Sequence, residues 1–185
     1  MYVSIDPTNY RVLHPRPVYL IVSMDKEGKL NVMAASWVSP VSDEPPLIAV
    51  SIWRESKTYE NIVETGEFTV NIVSDKHIDL VWEAGTTSGK KVDKWSKLGL
   101  EPYSSSEIRV PGIKGVLGFV ECRVRESIGV GESELFIAEA LKVHVNREMY
   151  EKYGWNLRKT GILLHAGGRV FTTTKWPIFP RRGRS

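Results

Sequence analysis

Two stretches in the second half of the chain alternate between apolar and other side chains with a period of two. The apolar set of residues 116–124 is Val116, Gly118, Val120, Cys122 and Val124, and that of residues 135–145 is Leu135, Ile137, Leu141, Val143 and Val145. This period over such lengths indicates antiparallel strands with one buried face. Glu139 shares the parity of the second set, so we expect it at a barrel mouth or in a buried hydrogen bond.

Further stretches have the composition of strands. They are residues 18–23, 30–35, 46–53, 67–73 and 162–173, the last interrupted by Gly167-Gly168. A turn in which Gly28 can take a positive φ joins the first two stretches as a hairpin. So many consecutive strands do not suit a parallel doubly wound sheet. Closure into a small antiparallel barrel with two or three short peripheral helices would remove the exposed edges.

The first helix is predicted between the third and fourth of these stretches. Ser56 can cap its start, and Gly66 ends it. Tyr59, Ile62 and Val63 share one face, which predicts that this face packs against the sheet.

A second helix is predicted over residues 75–84. Ser74 can cap it and Gly85 ends it, and the inward-facing residues are expected to be Ile78, Val81 and Trp82. A polar loop follows, and residues 93–98 are expected to form a short helical turn.

The bulk composition is that of one soluble domain. The chain has 185 residues, of which 42% are hydrophobic and 25% charged. No run is long enough to span a bilayer, and the first residues lack the pattern of a signal peptide. Cys122 is the only cysteine, which excludes an internal disulfide and fits a reducing cytoplasm. We therefore expect a cytoplasmic protein without a membrane partner.

The net charge of +3 owes part of its excess to a basic tail. The tail contains Lys175, Arg181, Arg182 and Arg184. Such a tail could bind nucleic acid, but a solvated chain end is the more ordinary interpretation, so a nucleic-acid partner is not expected.

The histidines, His14, His77, His144 and His165, are not spaced as metal ligands, so no metal site is expected. No catalytic triad is evident, and Cys122 lies mid-strand on the apolar parity, as a core residue would. His165 stands before Gly167-Gly168, where glycines permit close backbone approach. It could donate a proton or contact a ligand, with a structural hydrogen bond as the default interpretation.

The stretch NVMAASWVSP, residues 31–40, places Trp37 among Ala34, Ala35, Ser36 and Ser39. It fits a strand end with an aromatic plug. It also fits a site where small side chains let a flat ligand reach the backbone N–H and C=O groups.

The residues that open the first helix, 51–58, combine hydroxyls, a lysine and an arginine with the free N–H groups of a helix start. They could hold a phosphate or form an ordinary capped helix. The following GTTSGKK, residues 85–91, fails the P-loop test. It has three residues between the glycines, and Lys91 rather than a hydroxyl follows Lys90. Its lysines could still approach an anionic ligand.

Seven segments, taken in order, resemble one known family. They are Pro15-x-Pro17, Asn31-x-Met33-x-Ala35-Ser36-Trp37, Pro45-Pro46-Leu47, Lys57-Thr58-Tyr59-x-Asn61-Ile62, Glu64-Thr65-Gly66-Glu67-Phe68-x-Val70-Asn71, Ser88-Gly89-Lys90-x-Val92-Asp93-Lys94 and Leu135-Phe136-Ile137-x-Glu139. The set resembles the flavin reductase-like, FMN-binding split-barrel family, close to the flavoredoxins, from about residue 15 to residue 171.

The resemblance implies an antiparallel split β-barrel over residues 15–174, flanked by an N-terminal extension, 1–14, and the tail, 175–185. It also implies a homodimer with one FMN per subunit near the dimer interface. The flavin-binding residues that it implies are Asn31, Met33, Ala34, Ala35, Ser36, Trp37, Val38, Ser51, Trp53, Arg54, Lys57, Thr58, Lys94 and Phe171. Ser51, Arg54, Lys57 and Thr58 would hold the phosphate, with Lys94 facing them. His165 and Phe171 would close over the flavin or receive a nicotinamide, and His165 is the candidate catalytic residue.

Two positions depart from the family pattern. Residues 131–134 contain no histidine before the strand that begins near Leu135, and Phe171 stands where an aromatic hydroxyl is common. Both departures bear on the electron donor and acceptor rather than on FMN.

The predicted activity is that of an NAD(P)H-dependent flavin reductase, with hydride passing from NADH or NADPH to FMN and a partner oxygenase as one acceptor. The alternative is a flavoredoxin-like electron carrier with tightly bound FMN, or a ferric reductase. A non-catalytic module whose basic tail contacts nucleic acid is the third hypothesis.

Overall fold

The computed structural model describes residues 2–152, 154–174 and 176–179, so the predicted basic tail lies outside the described residues apart from 176–179. The strands are β1 Arg16–Pro17, β2 Tyr19–Met24, β3 Leu30–Ala35, β4 Val38–Ser42, β5 Leu47–Trp53, β6 Glu67–Ile72, β7 Pro102–Tyr103, β8 Gly112–Ile113, β9 Gly118–Val130, β10 Ser133–Val145, β11 Tyr150–Glu151, β12 Gly154–Trp155, β13 Leu163–Gly167 and β14 Val170–Thr173. The α-helices are α1 Lys57–Thr65, α2 Ile78–Thr86 and α3 Lys94–Lys97, with 3-10 turns at Tyr10–Leu13 and Asp75–His77.

The main sheet has seven strands in the order β3-β2-β6-β9-β10-β5-β4. Every neighbouring pair in it is antiparallel. A second sheet joins the two ends of the chain, because β1 pairs with β13 and β13 pairs with β14. The predicted mainly β, antiparallel class with three short helices is confirmed.

Strand β2 separates two hydrophobic clusters, because its side chains alternate between them. Leu20 and Val22 pack into the first cluster, which includes Val81 of α2. Ile21 packs into the second, which includes Ile62 of α1 and Phe68 of β6. All three β2 side chains are fully buried. Burial of each aliphatic side chain stabilises the folded chain by about 1.5–3 kcal/mol, so β2 stabilises both clusters.

The predicted buried face of β10 is wrong. Phe136 and Ala138 are buried, whereas Val143, from the predicted set, is 60% exposed. The register of β10 against β9 shifts at Ile137/Ala138 and again at Ala140/Lys142. Because each β-bulge changes which side chains share a face, one parity does not persist along the strand. Glu139 is partly buried and pairs with Arg125 across the hairpin.

Glu121 lies outside the apolar parity of β9, and yet its carboxylate is fully buried. It accepts hydrogen bonds from the N–H groups of Ser106 at 2.9 Å and Glu107 at 2.7 Å, and His144 Nε2 lies 2.6 Å away. Burial raises the pKa of Glu121, but these hydrogen bonds outweigh burial and hold the pKa below its ordinary value. The carboxylate thereby fastens the loop before β8 to the main sheet.

Helix α1 forms as its end signals predict. Ser56 Oγ accepts from Tyr59 N at 3.1 Å, and Gly66 ends the helix in the left-handed conformation, with φ of 69°. Ile62 is buried, but Val63 is 60% exposed. The assignment of Val63 to the packed face was therefore wrong, since that face is shared with Thr58 and Asn61 instead.

Helix α2 differs from its prediction at both ends. Residues 75–77 form a 3-10 turn before the α-helix, so Ile78 lies at the helix start and is 39% exposed. Gly85 lies inside the helix, which ends at Thr86. Val81 is buried as predicted. Within the described residues, no helix is both long and apolar enough to cross a membrane.

Replacing Glu121 by Gln should destabilise the fold by about 2–3 kcal/mol. The amide NH₂ of Gln would face backbone N–H donors and leave buried polar groups unpaired. Urea unfolding at neutral pH measures the loss. The matched control is Glu139→Gln, which breaks a half-exposed ion pair and should cost about 1 kcal/mol or less. Equal losses in the two variants would show that the buried carboxylate does not organise the loop.

Candidate functional site

A cavity of about 590 Å³ opens between the end of β3, helix α2 and the β13–β14 hairpin. This volume is within the usual range for small-molecule and cofactor sites, about 300–1,000 Å³. The predicted site residues that line it are Met33, Ala34, Ala35, Ser36, Trp37, Ser51, Trp53, His165 and Phe171. The chain thus brings together segments far apart in sequence.

The end of β3 forms one wall with small side chains. Ala34, Ala35 and Ser36 line the cavity, and Trp37 follows them at 40% exposure. The Trp37 carbonyl accepts from Ser51 N at 3.0 Å, which ties this wall to β5. Tyr10 packs edge-on against the Trp37 indole, with ring centroids 5.6 Å apart. A flat ligand can therefore contact peptide groups beside an aromatic surface.

Helix α2 approaches this wall closely at Gly85. A Cβ placed on Gly85 would lie 3.2 Å from the Ala34 Cβ, so larger side chains would push the helix from the strand. Val81, Trp82 and Thr86 of α2 also line the cavity. The small residues at both positions therefore set the width of the site.

A row of rings forms the opposite wall. His14 and His165 pack edge-on at 5.4 Å, His165 lies 5.1 Å from Phe171, and Phe171 lies 6.5 Å from Trp82. The His165 carbonyl, which can only accept, lies 3.0 Å from His14 Nδ1, so Nδ1 of His14 carries a proton. By the same reasoning His165 Nε2 donates to the Gly168 carbonyl at 3.1 Å.

Each of these two imidazoles has a second ring nitrogen that is not used in the hydrogen bonds just described. With Nδ1 of His14 and Nε2 of His165 protonated, the neutral forms have His14 Nε2 and His165 Nδ1 as acceptors. Both residues line the cavity. The wall can therefore offer or accept a proton beside a bound ligand.

The residues predicted to bind the phosphate lie in different environments. Ser51 lines the cavity, but Arg54 is engaged with Glu134, its Nε lying 2.9 Å from the carboxylate. Thr58 is 1% exposed, and its Oγ1 accepts from Asn31 Nδ2 at 2.8 Å. Lys57 is loosely held, with Nζ 3.7 Å from Asp25 and 3.9 Å from Glu60. Of the two cations, Lys57 is the freer to bind an anion.

The loop after α2 connects this cluster to the cavity. A Cβ on Gly89 would collide with Asn31 Oδ1 and lie 3.2 Å from Lys57 Cβ, so only glycine allows this approach. Gly85 and Thr86, just before the loop, line the cavity. A ligand in the cavity can thus extend along this loop toward Lys57.

Six predicted site residues are not among those that line the cavity: Asn31, Arg54, Lys57 and Thr58, described above, and also Val38 and Lys94. Val38 packs into the second hydrophobic cluster. Lys94 is 4% exposed, and its Nζ donates to the Ala84 carbonyl in the last turns of α2 at 2.8 Å. Loss of hydration on burial lowers the pKa of Lys94 to about 8. In the described residues, no carboxylate pairs with this ammonium group.

Several lining residues were missed by the sequence analysis. Tyr10, Arg11 and His14 come from the segment predicted as an N-terminal extension, and Glu132 and Ser133 come from the β9–β10 turn. The pairing of β1 with β13, in which Arg16 faces His165, brings the N-terminal residues to the site. No local pattern in the sequence reports a pairing between chain ends.

Replacing Lys94 by Met should remove the pH-dependent free-energy cost of burying a charged ammonium group. Between the folded pKa of about 8 and the ordinary value of 10.5, the unfolded chain holds a proton that the folded chain lacks. The free energy of unfolding of the parent should therefore rise with pH across this window, by about 3 kcal/mol relative to Lys94→Met. Urea unfolding of both proteins at intervals across this window measures the difference.

The control for this experiment is Lys97→Met. Lys97 is half-exposed and pairs with Glu83 at 3.1 Å, so its removal should leave the pH dependence of unfolding unchanged. Parallel stability curves for the parent and Lys94→Met would contradict the buried, uncompensated ammonium group.

The sequence profile of the family described as "Flavin reductase like domain" matches residues 11–174. A protein of Archaeoglobus fulgidus, described as uncharacterised, is 39% identical over 162 residues, which are 87% of this chain and 89% of that protein. The family match includes every residue that lines the cavity except Tyr10, which directly precedes it.

Solved structures agree with the sequence relationship. A flavoredoxin from Methanosarcina acetivorans superposes with a TM-score of 0.88 at 27% identity, covering 98% of this chain and 96% of that one. Nitrilotriacetate monooxygenase component B from Bacillus cereus superposes with a TM-score of 0.86 at 26% identity, covering 97% and 99%. The fold is the antiparallel split barrel that the resemblance implied, and the chain belongs to the flavin reductase-like domain family.

Proposed function

We propose that this protein binds FMN in the cavity and acts as a flavin reductase with NADH or NADPH as the electron donor. The observation that carries the proposal is the wall of small residues at the end of β3, which faces an aromatic cavity of about 590 Å³. Flavin binding itself follows from the family, and the donor, the residue roles and the acceptor are what we add.

The cavity fits an isoalloxazine ring in chemistry as well as in size. Peptide groups at Ala34 to Trp37 can hydrogen-bond its polar edge, while Trp37, Trp53 and Phe171 offer aromatic surface to its faces. Met33 supplies a flexible apolar contact at the same wall. Planarity and a polar edge are therefore the features that this wall selects.

The phosphate end would extend along the loop after α2. Lys57 supplies the positive charge, Ser51 supplies a hydroxyl, and the first turn of α1 supplies unpaired N–H groups. Arg54 would contribute at a distance, because its guanidinium is shared with Glu134. Thr58 and Asn31, which hydrogen-bond each other below this surface, would hold the helix start in place.

Bound FMN would supply the hydride-accepting chemistry. The chain's own part would be to stack and orient the rings and to exclude water with Trp82 and Phe171. His165, whose Nε2 donates to Gly168, would present Nδ1 as the proton-handling atom, and His14 would fix the ring by donating to the His165 carbonyl. These two imidazoles stand in the site even though the β9–β10 turn lacks the family's histidine.

We further propose a homodimer in which the partner subunit closes the side of the cavity near Trp53. Trp53 of β5 and Ile128 and Val130 of β9 are about half exposed, although all three are large apolar residues. They continue outward from Ser133, which lines the cavity. Apolar surface that borders a ligand site is a common place for subunit contact. A partner oxygenase is supported by the name of one structural neighbour, a monooxygenase component B.

A flavoredoxin-like electron carrier is the second candidate function. It is supported by the TM-score of 0.88 with a flavoredoxin over almost the whole chain. The rate of FMN release separates the two functions, since a reductase that supplies an oxygenase must exchange its flavin and a carrier must keep it.

Replacing Lys57 by Gln should weaken FMN binding about tenfold, because the phosphate would lose its main cation. Riboflavin, which lacks the phosphate, should bind both proteins equally. Fluorescence titration with each flavin measures the two affinities. Lys76→Gln is the control, since Lys76 is an exposed lysine on the 3-10 turn before α2. Unchanged FMN affinity in Lys57→Gln would place the phosphate elsewhere.

Replacing His165 by Ala should slow reduction by NADH or NADPH while FMN stays bound. Stopped-flow absorbance at the flavin band measures the rate under anaerobic conditions. His165→Gln places an amide N–H near the Nε2 position, so it can still donate to the Gly168 carbonyl but lacks a titratable nitrogen, and it should stay slow if His165 handles a proton. Recovery of the parent rate in His165→Gln would reduce the role of His165 to holding the hairpin.

A further inference from the structure

Three arginines lie on or next to the β13–β14 hairpin, and two of them, Arg11 and Arg169, are at the mouth of the cavity. Arg11 lines the cavity, with its Cδ 3.9 Å from the position of a Cβ on Gly167. Arg16 lies opposite His165 in the backbone register of β1 and β13 and is not among the residues that line the cavity. Arg169 follows the glycine turn and places its guanidinium carbon 5.4 Å from the centroid of the Trp82 ring. Arg11 and Arg169 therefore place positive charge on the hairpin side of the cavity mouth.

These arginines differ from those on the main sheet. Arg54, Arg123 and Arg125 each pair with a glutamate, Glu134, Glu67 and Glu139 respectively. In the part of the chain that the structure describes, Arg11, Arg16 and Arg169 form no ion pair with a carboxylate, and Arg11 and Arg169 are exposed. Guanidinium groups without a protein counter-charge beside a ligand cavity are poised to bind an anionic ligand.

The flavin phosphate is not the best candidate for this anion. Its proposed cation, Lys57, packs at Gly89 and pairs weakly with Asp25 and Glu60, none of which lies on the hairpin. The one carboxylate that lines the cavity, among the described residues, is Glu132 on the β9–β10 turn beside Ser133. The arginines therefore belong to the second ligand of the site rather than to the flavin.

We propose that Arg11 and Arg169, at the mouth of the cavity, recognise the 2′-phosphate of the adenosine half of NADPH. The protein would therefore prefer NADPH to NADH. A phosphate monoester carries about −1.5 to −2 charges at neutral pH, which a bidentate guanidinium matches in shape and charge. The Trp82 ring, with Arg169 against it, gives an adenine base a surface on which to stack. This inference rests on the proposed function, and it names the donor that the function leaves open.

The direct test is isothermal titration of the protein with adenosine 2′,5′-bisphosphate, which needs no flavin and no turnover. The bisphosphate should bind at least about tenfold more tightly than adenosine 5′-monophosphate, and Arg169→Gln and Arg11→Gln should each remove most of that advantage. Arg147→Gln, at an exposed arginine that does not line the cavity, should leave it intact. Binding should weaken as salt rises from low to physiological strength.

Inorganic phosphate is the second arm of this titration. Phosphate binding as tight as that of the bisphosphate would overturn nucleotide recognition and leave a simple anion site. Equal affinity for the bisphosphate and the monophosphate in the parent protein would overturn the proposal outright.

Steady-state kinetics extend the test to the working protein. The ratio of kcat/KM for NADPH to that for NADH should exceed one and fall about tenfold in Arg169→Gln, with FMN affinity unchanged. A ratio that the variants leave unaltered would refute the inference while the flavin reductase function stands. A loss of FMN affinity in the variants would reassign the arginines to the flavin phosphate. Failure to bind any flavin would instead refute the proposed function, and the bisphosphate titration would still decide the inference.

Discussion

Strand β2 is the element on which the site depends, because its alternate side chains are buried in two separate clusters. Leu20 and Val22 face α2, and Ile21 faces α1 and β6. Since β3 pairs with β2 along its whole length, this double burial also fixes where β3 ends. The cavity begins at that end. The close packing of the core therefore holds in place the small residues that the proposed flavin would contact.

The close contacts around β3 set the limits of the site. Gly85 lets α2 reach Ala34, and Gly89 lets the following loop reach Asn31 and Lys57. Two glycines in one helix–loop segment thus bring both a cavity wall and a candidate anion site against one strand. The glycines of this segment do not form a P-loop. They permit close packing of the backbone rather than wrapping of a triphosphate.

Features with local causes could be predicted from the sequence, and features with distant causes could not. Helix α1 begins at Ser56 and ends at Gly66 because a capping hydroxyl and a left-handed glycine act within a few residues. The buried face of β10 was missed because two bulges change its register. The burial of Glu121 depends on N–H groups from a loop 13 to 15 residues away. His14 and Arg11 reach the cavity only because β1 pairs with β13.

In the candidate site, too, features with local causes could be predicted and features that depend on distant contacts could not. Small residues with an indole predicted the wall from Ala34 to Trp37, the residues that open the first helix indicated Ser51, and the glycines after His165 indicated that side chain. The charged residues were harder to place, because a lysine or arginine in the sequence does not show what it will pair with. Arg54 is held by Glu134, Lys94 is buried under α2, and Arg11 and Arg169 remain at the mouth without a counter-charge. The electrostatics of the site are thus a product of tertiary contacts.

The most direct test of the central claim is the visible absorption spectrum of the purified protein titrated with FMN, before and after anaerobic addition of NADPH and NADH. A bound-flavin spectrum that bleaches with a nicotinamide donor is the predicted result, with NADPH acting at lower concentration than NADH. A protein that takes up no FMN, or whose bound FMN is reduced by neither donor, would contradict the account.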